Sequence, residues 1–118
     1  MPAFAGNLER MTREPVQFNV RRAGDGALLE VAGGLDAATA PLLIEHVNML
    51  LGHGVRRLRI DLRAVDFIDS RGIAALIHCR RRVQNAGAEL ELVPGEGAAR
   101  RLLDATGLSD VFSMEEDG

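Results

Sequence analysis

The sequence predicts a small α/β protein: a mixed β-sheet with helices packed on one face only. Three observations carry that prediction. Segments that alternate polar with apolar residues interleave with segments of helical period, in the order ββαβαβα. The two strand–helix–strand units require parallel neighbours joined by right-handed crossovers, whereas the opening pair is a hairpin closed at Gly24-Asp25-Gly26. Finally, most of the strands alternate, while a sheet covered on both sides needs nearly continuous apolar strands. One face is therefore left to water or to a partner, with Arg57, Arg59, Asp61, Glu89 and Glu91 on it. That one-sided arrangement argues against a Rossmann or receiver architecture.

Taken in order, residues 1–14 mix charges without a clean period and are expected to form a flexible extension. The ordered domain is expected over residues 15–113. Val16, Phe18 and Val20 alternate with Gln17, Asn19 and Arg21, which predicts a strand with one buried face. A second strand is expected over 27–32, ended by Gly33-Gly34. Asp36 or Thr39 can cap the helix that follows, with Pro41 tolerated in its first turn. Leu43, Val47, Leu50 and Leu51 form its apolar stripe, and Gly52 and Gly54 supply its end. Leu58, Ile60 and Leu62 mark the third strand, after which 63–69 reads as a loop running to Ser70. Ile73, Leu76, Ile77 and Val83 predict a second helix, stopped near Gly87. Leu90 and Leu92 mark a fourth strand closed by Pro94-Gly95. Leu102 and Leu103 anchor a third helix that ends at Thr106-Gly107. Leu108, Val111 and Phe112 are expected to pack a closing segment, and residues 114–118 form an acidic tail.

Composition narrows the function. At 118 residues the chain is of single-domain length, enough to bury about two thirds of its unfolded surface. A net charge of −3 disfavours direct nucleic-acid binding, and the absence of tryptophan and tyrosine leaves no stacking platform for single strands. No apolar run reaches a bilayer's width, so no membrane partner is expected and the cytoplasm is the expected location. All 14 basic residues are arginine; a phosphate-loop, Schiff-base or receiver lysine is therefore impossible. Cys79 is the single cysteine, which excludes an internal disulfide and zinc-ribbon or CxxC motifs, and it reads as a half-buried helix residue. His46, His53 and His78 lack metal-ligand spacing. No cofactor, metal or catalytic residue is expected. Arg80-Arg81-Arg82 reads as the solvated face of a helix.

The informative stretch is Val65-Asp66-Phe67-Ile68-Asp69-Ser70-Arg71-Gly72-Ile73, at a strand-to-helix junction. Ser70 stands where an N-cap belongs, so a cap is its plainest role. A nucleophile is a second reading, although Ile68 replaces the first glycine of the GxSxG elbow and no histidine has an evident base role. A phosphoacceptor is the third. A phosphate at a helix N-terminus lies beside unpaired N–H groups and the positive end of the helix dipole, and it adds about −1.5 to −2 charges at neutral pH.

In order and with ordinary spacing, GGLDAATA, LRIDL, VDFIDSRGIAAL, ELELVP and RRLLDATGL resemble a STAS domain over residues 15–113, nearest to the bacterial anti-sigma factor antagonists. Asp69-Ser70-Arg71-Gly72 is the most specific element, with Thr106-Gly107-Leu108 a second marker. The resemblance implies a STAS-like fold and a non-enzymatic partner switch. On it, the chain binds an anti-sigma factor with serine kinase activity and frees a sigma factor. It is then inactivated by phosphorylation at Ser70, and a serine phosphatase resets the system. Asp36, Thr39, Asp69, Ser70, Arg71 and Gly72 would form the partner-binding site. Two residues depart from the family's pattern: Gly34, where glutamate is frequent, and Arg71, a cation beside the acceptor serine. An accessory subunit of a transporter or of a stress-sensing complex is the alternative role, and a small serine-nucleophile enzyme the third.

Overall fold

The computed structural model describes residues 16–114; the extension over 1–14 and nearly all of the acidic tail lie outside them. The elements follow the expected order: β1 (Gln17–Ala23), β2 (Gly26–Leu35), α1 (Ala40–Gly52), β3 (Arg57–Ile68), α2 (Ser70–Asn85), β4 (Glu89–Val93) and α3 (Ala98–Ala105), with a short 3-10 turn at Leu108–Asp110. The sheet order is β1-β2-β3-β4, with β1 antiparallel to β2 and the other pairs parallel.

Alternation sorts the side chains by face. Val20, Leu29, Ile60 and Leu92 form one row across the four strands, and the last three are fully buried in the core. Leu43, Val47 and Leu50 of α1, Ile73, Leu76, Cys79 and Val83 of α2, and Ala99 and Leu103 of α3 complete the same core. The adjacent rows carry the charges: Arg57 stands beside Glu89, and Arg59 beside Glu91 with a 3.2 Å ion pair. Helices thus cover one face and the other is polar, as the alternation predicts. Cys79 is fully buried rather than half-buried, and desolvation pushes its thiol pKa up to about 12, which makes it an inert core residue. Among the described residues no helix is long and apolar enough to cross a membrane, and no cluster of side chains could hold a metal ion.

Four further details differ from the sequence expectations. First, β2 does not stop at Gly33-Gly34 but runs through both to Leu35. Gly33 has φ +102°, a conformation open to glycine, so the pair bends the strand without ending it. Second, most of 63–69 is strand. The register steps from Glu30↔Asp61 to Ala32↔Ala64, and from Gly33↔Val65 to Gly34↔Phe67, so β3 carries one extra residue at each step. These bulges stretch the buried spacing from two to three, giving Leu58, Ile60, Leu62, Val65 and Ile68. Third, Val111 is exposed while Phe112 is buried, so only part of the closing segment packs inward.

The fourth is Asp61, which is only 6% exposed although it points to the polar face. Arg63 folds over it, with Nη2 2.7 Å from Oδ2 and Nε 3.0 Å from Oδ1, and the Arg63 backbone N–H adds a bond at 3.0 Å. The Arg63 hydrogen bonds outweigh desolvation and hold the Asp61 pKa below its ordinary value. Folding therefore favours the ionised form. Its contribution to stability is present above the ordinary carboxylate range and is lost as pH falls through that range toward the lowered value. Below about pH 4, urea unfolding of the wild type should lose stability more steeply than that of Asp61→Asn. Equal slopes would remove Asp61 from the account.

Candidate functional site

Parallel pairing brings the C-terminal ends of β2 and β3 side by side, so the loops that leave them meet at one end of the molecule. β2 delivers the turn from Asp36 to Thr39; β3 delivers Asp69 and the first turn of α2. The two are tied together where Asp69 N donates to Leu35 O at 3.2 Å.

The first loop is closed by its own side chains. Asp36 Oδ1 accepts from Ala38 N at 3.0 Å and from Thr39 N at 3.2 Å. The Thr39 hydroxyl donates to Gly34 O at 2.6 Å and accepts from Asp36 N at 3.0 Å. Thr39 is the N-cap of α1, but its hydroxyl bonds back into the loop rather than to the helix. Asp36 and Thr39 are both half-buried, so they shape this loop from within while Ala37 and Ala38 form its exposed tip.

The second loop differs from the sequence expectation in one important respect. The N-cap of α2 is Asp69, not Ser70: its Oδ1 accepts from Arg71 N at 2.9 Å and from Gly72 N at 3.2 Å. Ser70 is the first residue of the helix. It is exposed, and its hydroxyl has no hydrogen-bond partner among the described residues. The helix therefore does not depend on that oxygen. Asp69→Ala should lower stability by about 1 kcal/mol, and Ser70→Ala should change it by less than about 0.5 kcal/mol. Chemical denaturation of the two variants checks the assignment, and a larger loss for Ser70→Ala would reverse it.

Gly72 is buried and sets how closely the two loops approach. A Cβ there would lie 2.6 Å from Leu35 O and 2.8 Å from Ile68 Cγ1. Its contribution is this close approach, not a side chain offered to a partner. Arg71 is exposed and stands next to Ser70. Asp66 and Phe67 are exposed just before it, and Phe67, 42% exposed, lies over Gly34. Sequence reasoning missed Phe67. The signal was available in its place one residue before the buried Ile68, in a stretch where the two-residue alternation breaks down. The end of the molecule thus presents a hydroxyl, an aromatic ring and charges of both signs. A groove of about 880 Å³ lies near the other ends of these strands, around Arg57, Arg59 and Glu89.

The class of fold is a one-sided mixed sheet in which an Asp-capped helix opens on an exposed serine. The family model for the STAS domain matches residues 17–117, and the chain belongs to that family. Among its curated relatives is the anti-sigma-B factor antagonist of Bacillus subtilis (strain 168), 29% identical over 99 residues that cover 84% of this chain and 90% of the relative. Among solved structures, an anti-sigma factor antagonist from Mycobacterium paratuberculosis is 27% identical, with a TM-score of 0.73 and 85% of each chain covered. The phosphorylated form of the Bacillus cell fate determinant SpoIIAA has a TM-score of 0.65 at 14% identity, covering 86% of this chain and 93% of its own, a likeness of fold.

Proposed function

We propose that the chain is an anti-sigma factor antagonist that binds an anti-sigma factor through the end bearing Asp36, Thr39, Asp69, Ser70, Arg71 and Gly72. The anti-sigma factor is a serine kinase; binding it frees a sigma factor, and phosphorylation of Ser70 ends the complex. A serine phosphatase restores the binding form. The chain itself carries out no catalysis in this scheme. The relatives' names support the antagonist role.

One observation carries the switch: Ser70 Oγ is exposed and unbonded at the start of α2, while Asp69 holds the cap. A kinase can reach that oxygen without melting the helix. The added phosphate then sits at the positive end of the α2 dipole, so the fold tolerates it. The partner does not: a surface fitted to a neutral hydroxyl must now accommodate a dianion. Asp66 and Asp69 lie close in sequence and give the group acidic company, which Arg71 offsets only in part.

The test is incubation with candidate anti-sigma kinases and ATP, followed by intact mass and site mapping. One phosphoryl group on Ser70 is the expected product. Modification at another residue, or none with any kinase that binds the chain, would overturn the proposal.

A further inference from the structure

The chain enters β1 at the end of the molecule that carries Ser70. β1 runs antiparallel to β2, and its first residue, Gln17, pairs with Ala32, two residues short of Gly34. Gly34 in turn pairs with Phe67 on β3. Residues 1–15 therefore join the domain beside the candidate site and not at the far end. Two strand spacings of about 4.8 Å separate β1 from β3. Fifteen residues can extend about 50 Å, so reach is not limiting. The match to the STAS model starts at residue 17, so this segment is an addition of this chain to the shared domain.

The surface at that end offers two kinds of contact. Phe67 is 42% exposed, and its ring lies over Gly34, where a Cβ would stand 3.7 Å from Phe67 Cδ2. Around the ring, Asp36, Asp66 and Asp69 outnumber the one cation beside them, Arg71. A single exposed aromatic needs no explanation by itself. This one stands where a stretch of chain of matching chemistry enters the domain. Residues 1–15 hold Phe4, Leu8 and Met11 to cover a ring, and Arg10 and Arg13, alongside Glu9 and Glu14, to meet carboxylates.

We propose that residues 1–15 fold back over this end, with their apolar side chains on Phe67 and their arginines at the carboxylates of Asp36, Asp66 and Asp69. The segment then occupies the surface offered to the anti-sigma factor, and the partner must displace it to reach Ser70. The docking stands on the geometry of this end; its competition with the partner rests on the antagonist reading.

The single cysteine, Cys79, is fully buried, so a nitroxide reagent applied to Ala5→Cys takes the new thiol alone. In the full chain the label should broaden the amide resonances of Ala37, Phe67 and Ser70 and leave those of Arg56 and Gly87, at the opposite end, sharp. Phe67→Ser, a change at the surface, should abolish the broadening. Broadening at both ends alike, at neither, or surviving Phe67→Ser would overturn the docking. No partner enters that measurement, so its result is independent of the antagonist reading. A docked population of about 90% lowers apparent affinity about tenfold, so Leu8→Ser with Met11→Ser should bind the anti-sigma factor about three- to tenfold more tightly than the wild type. Equal affinity of the two proteins would overturn the competition, whereas binding by neither would overturn the antagonist reading itself.

Discussion

Ser70→Asp should weaken binding to the anti-sigma factor by one to three orders of magnitude, while Ser70→Ala should bind as the wild type does and become insensitive to ATP. The magnitude follows from the site. A thousandfold loss of affinity corresponds to about 4 kcal/mol, and one unpaired charge buried in an interface costs several kcal/mol. Ser70 is exposed, so no refolding is needed to deliver that charge to the contact. Aspartate carries one charge where phosphate carries nearly two, so its effect falls at or below that of true phosphorylation. Because Asp69 rather than Ser70 caps α2, both Ser70 variants should keep the wild-type fold, and an affinity change can be read as an interface effect. Titration calorimetry with the three proteins and the kinase-type anti-sigma factor separates the outcomes.

Gly72→Ala should have the second largest effect, a loss of about 1–3 kcal/mol in stability together with weaker partner binding. The new Cβ would lie 2.6 Å from a backbone oxygen of β2, which no side-chain rotation relieves. To make room, α2 must lift from the end of β2, and the bond from Asp69 N to Leu35 O is the first contact to suffer. The loop from Asp36 to Thr39 and the first turn of α2 would then separate, so the defect reaches the proposed docking end as well as the core. Urea unfolding measures the stability term, and binding measured where the variant is still folded measures the rest. Wild-type values in both would show that the close approach at Gly72 is not needed.

The general architecture was legible because alternation and helical period are direct images of burial. Leu58, Ile60 and Leu62 announced which face of β3 is buried, and Leu43, Val47 and Leu50 announced the inner side of α1. The length of β3 was not legible, because bulges at two steps shift the period just where 63–69 looked irregular. Gly33-Gly34 misled for a related reason: glycine ends many strands, but here it lets a strand bend and continue. Asp61 was assigned to the polar face correctly, yet its burial depends on where one arginine side chain folds, which no spacing rule reports.

At the site, the exposed position of Ser70 at a strand-to-helix junction was readable from the motif, but the identity of the cap was not. Asp69 and Ser70 are adjacent and both are good N-cap residues, so a shift of one residue in the helix start exchanges their roles. That shift separates a serine whose hydroxyl is tied to the helix from one whose hydroxyl stays exposed. Phe67 escaped notice because 63–69 read as a loop, which hid the bulged strand that holds its ring at the surface.

The most direct test of the switch is a side-by-side titration of the anti-sigma factor with unmodified chain and with chain fully phosphorylated at Ser70. The account predicts that the phosphorylated form binds at least a hundredfold more weakly. Equal dissociation constants for the two forms would contradict it.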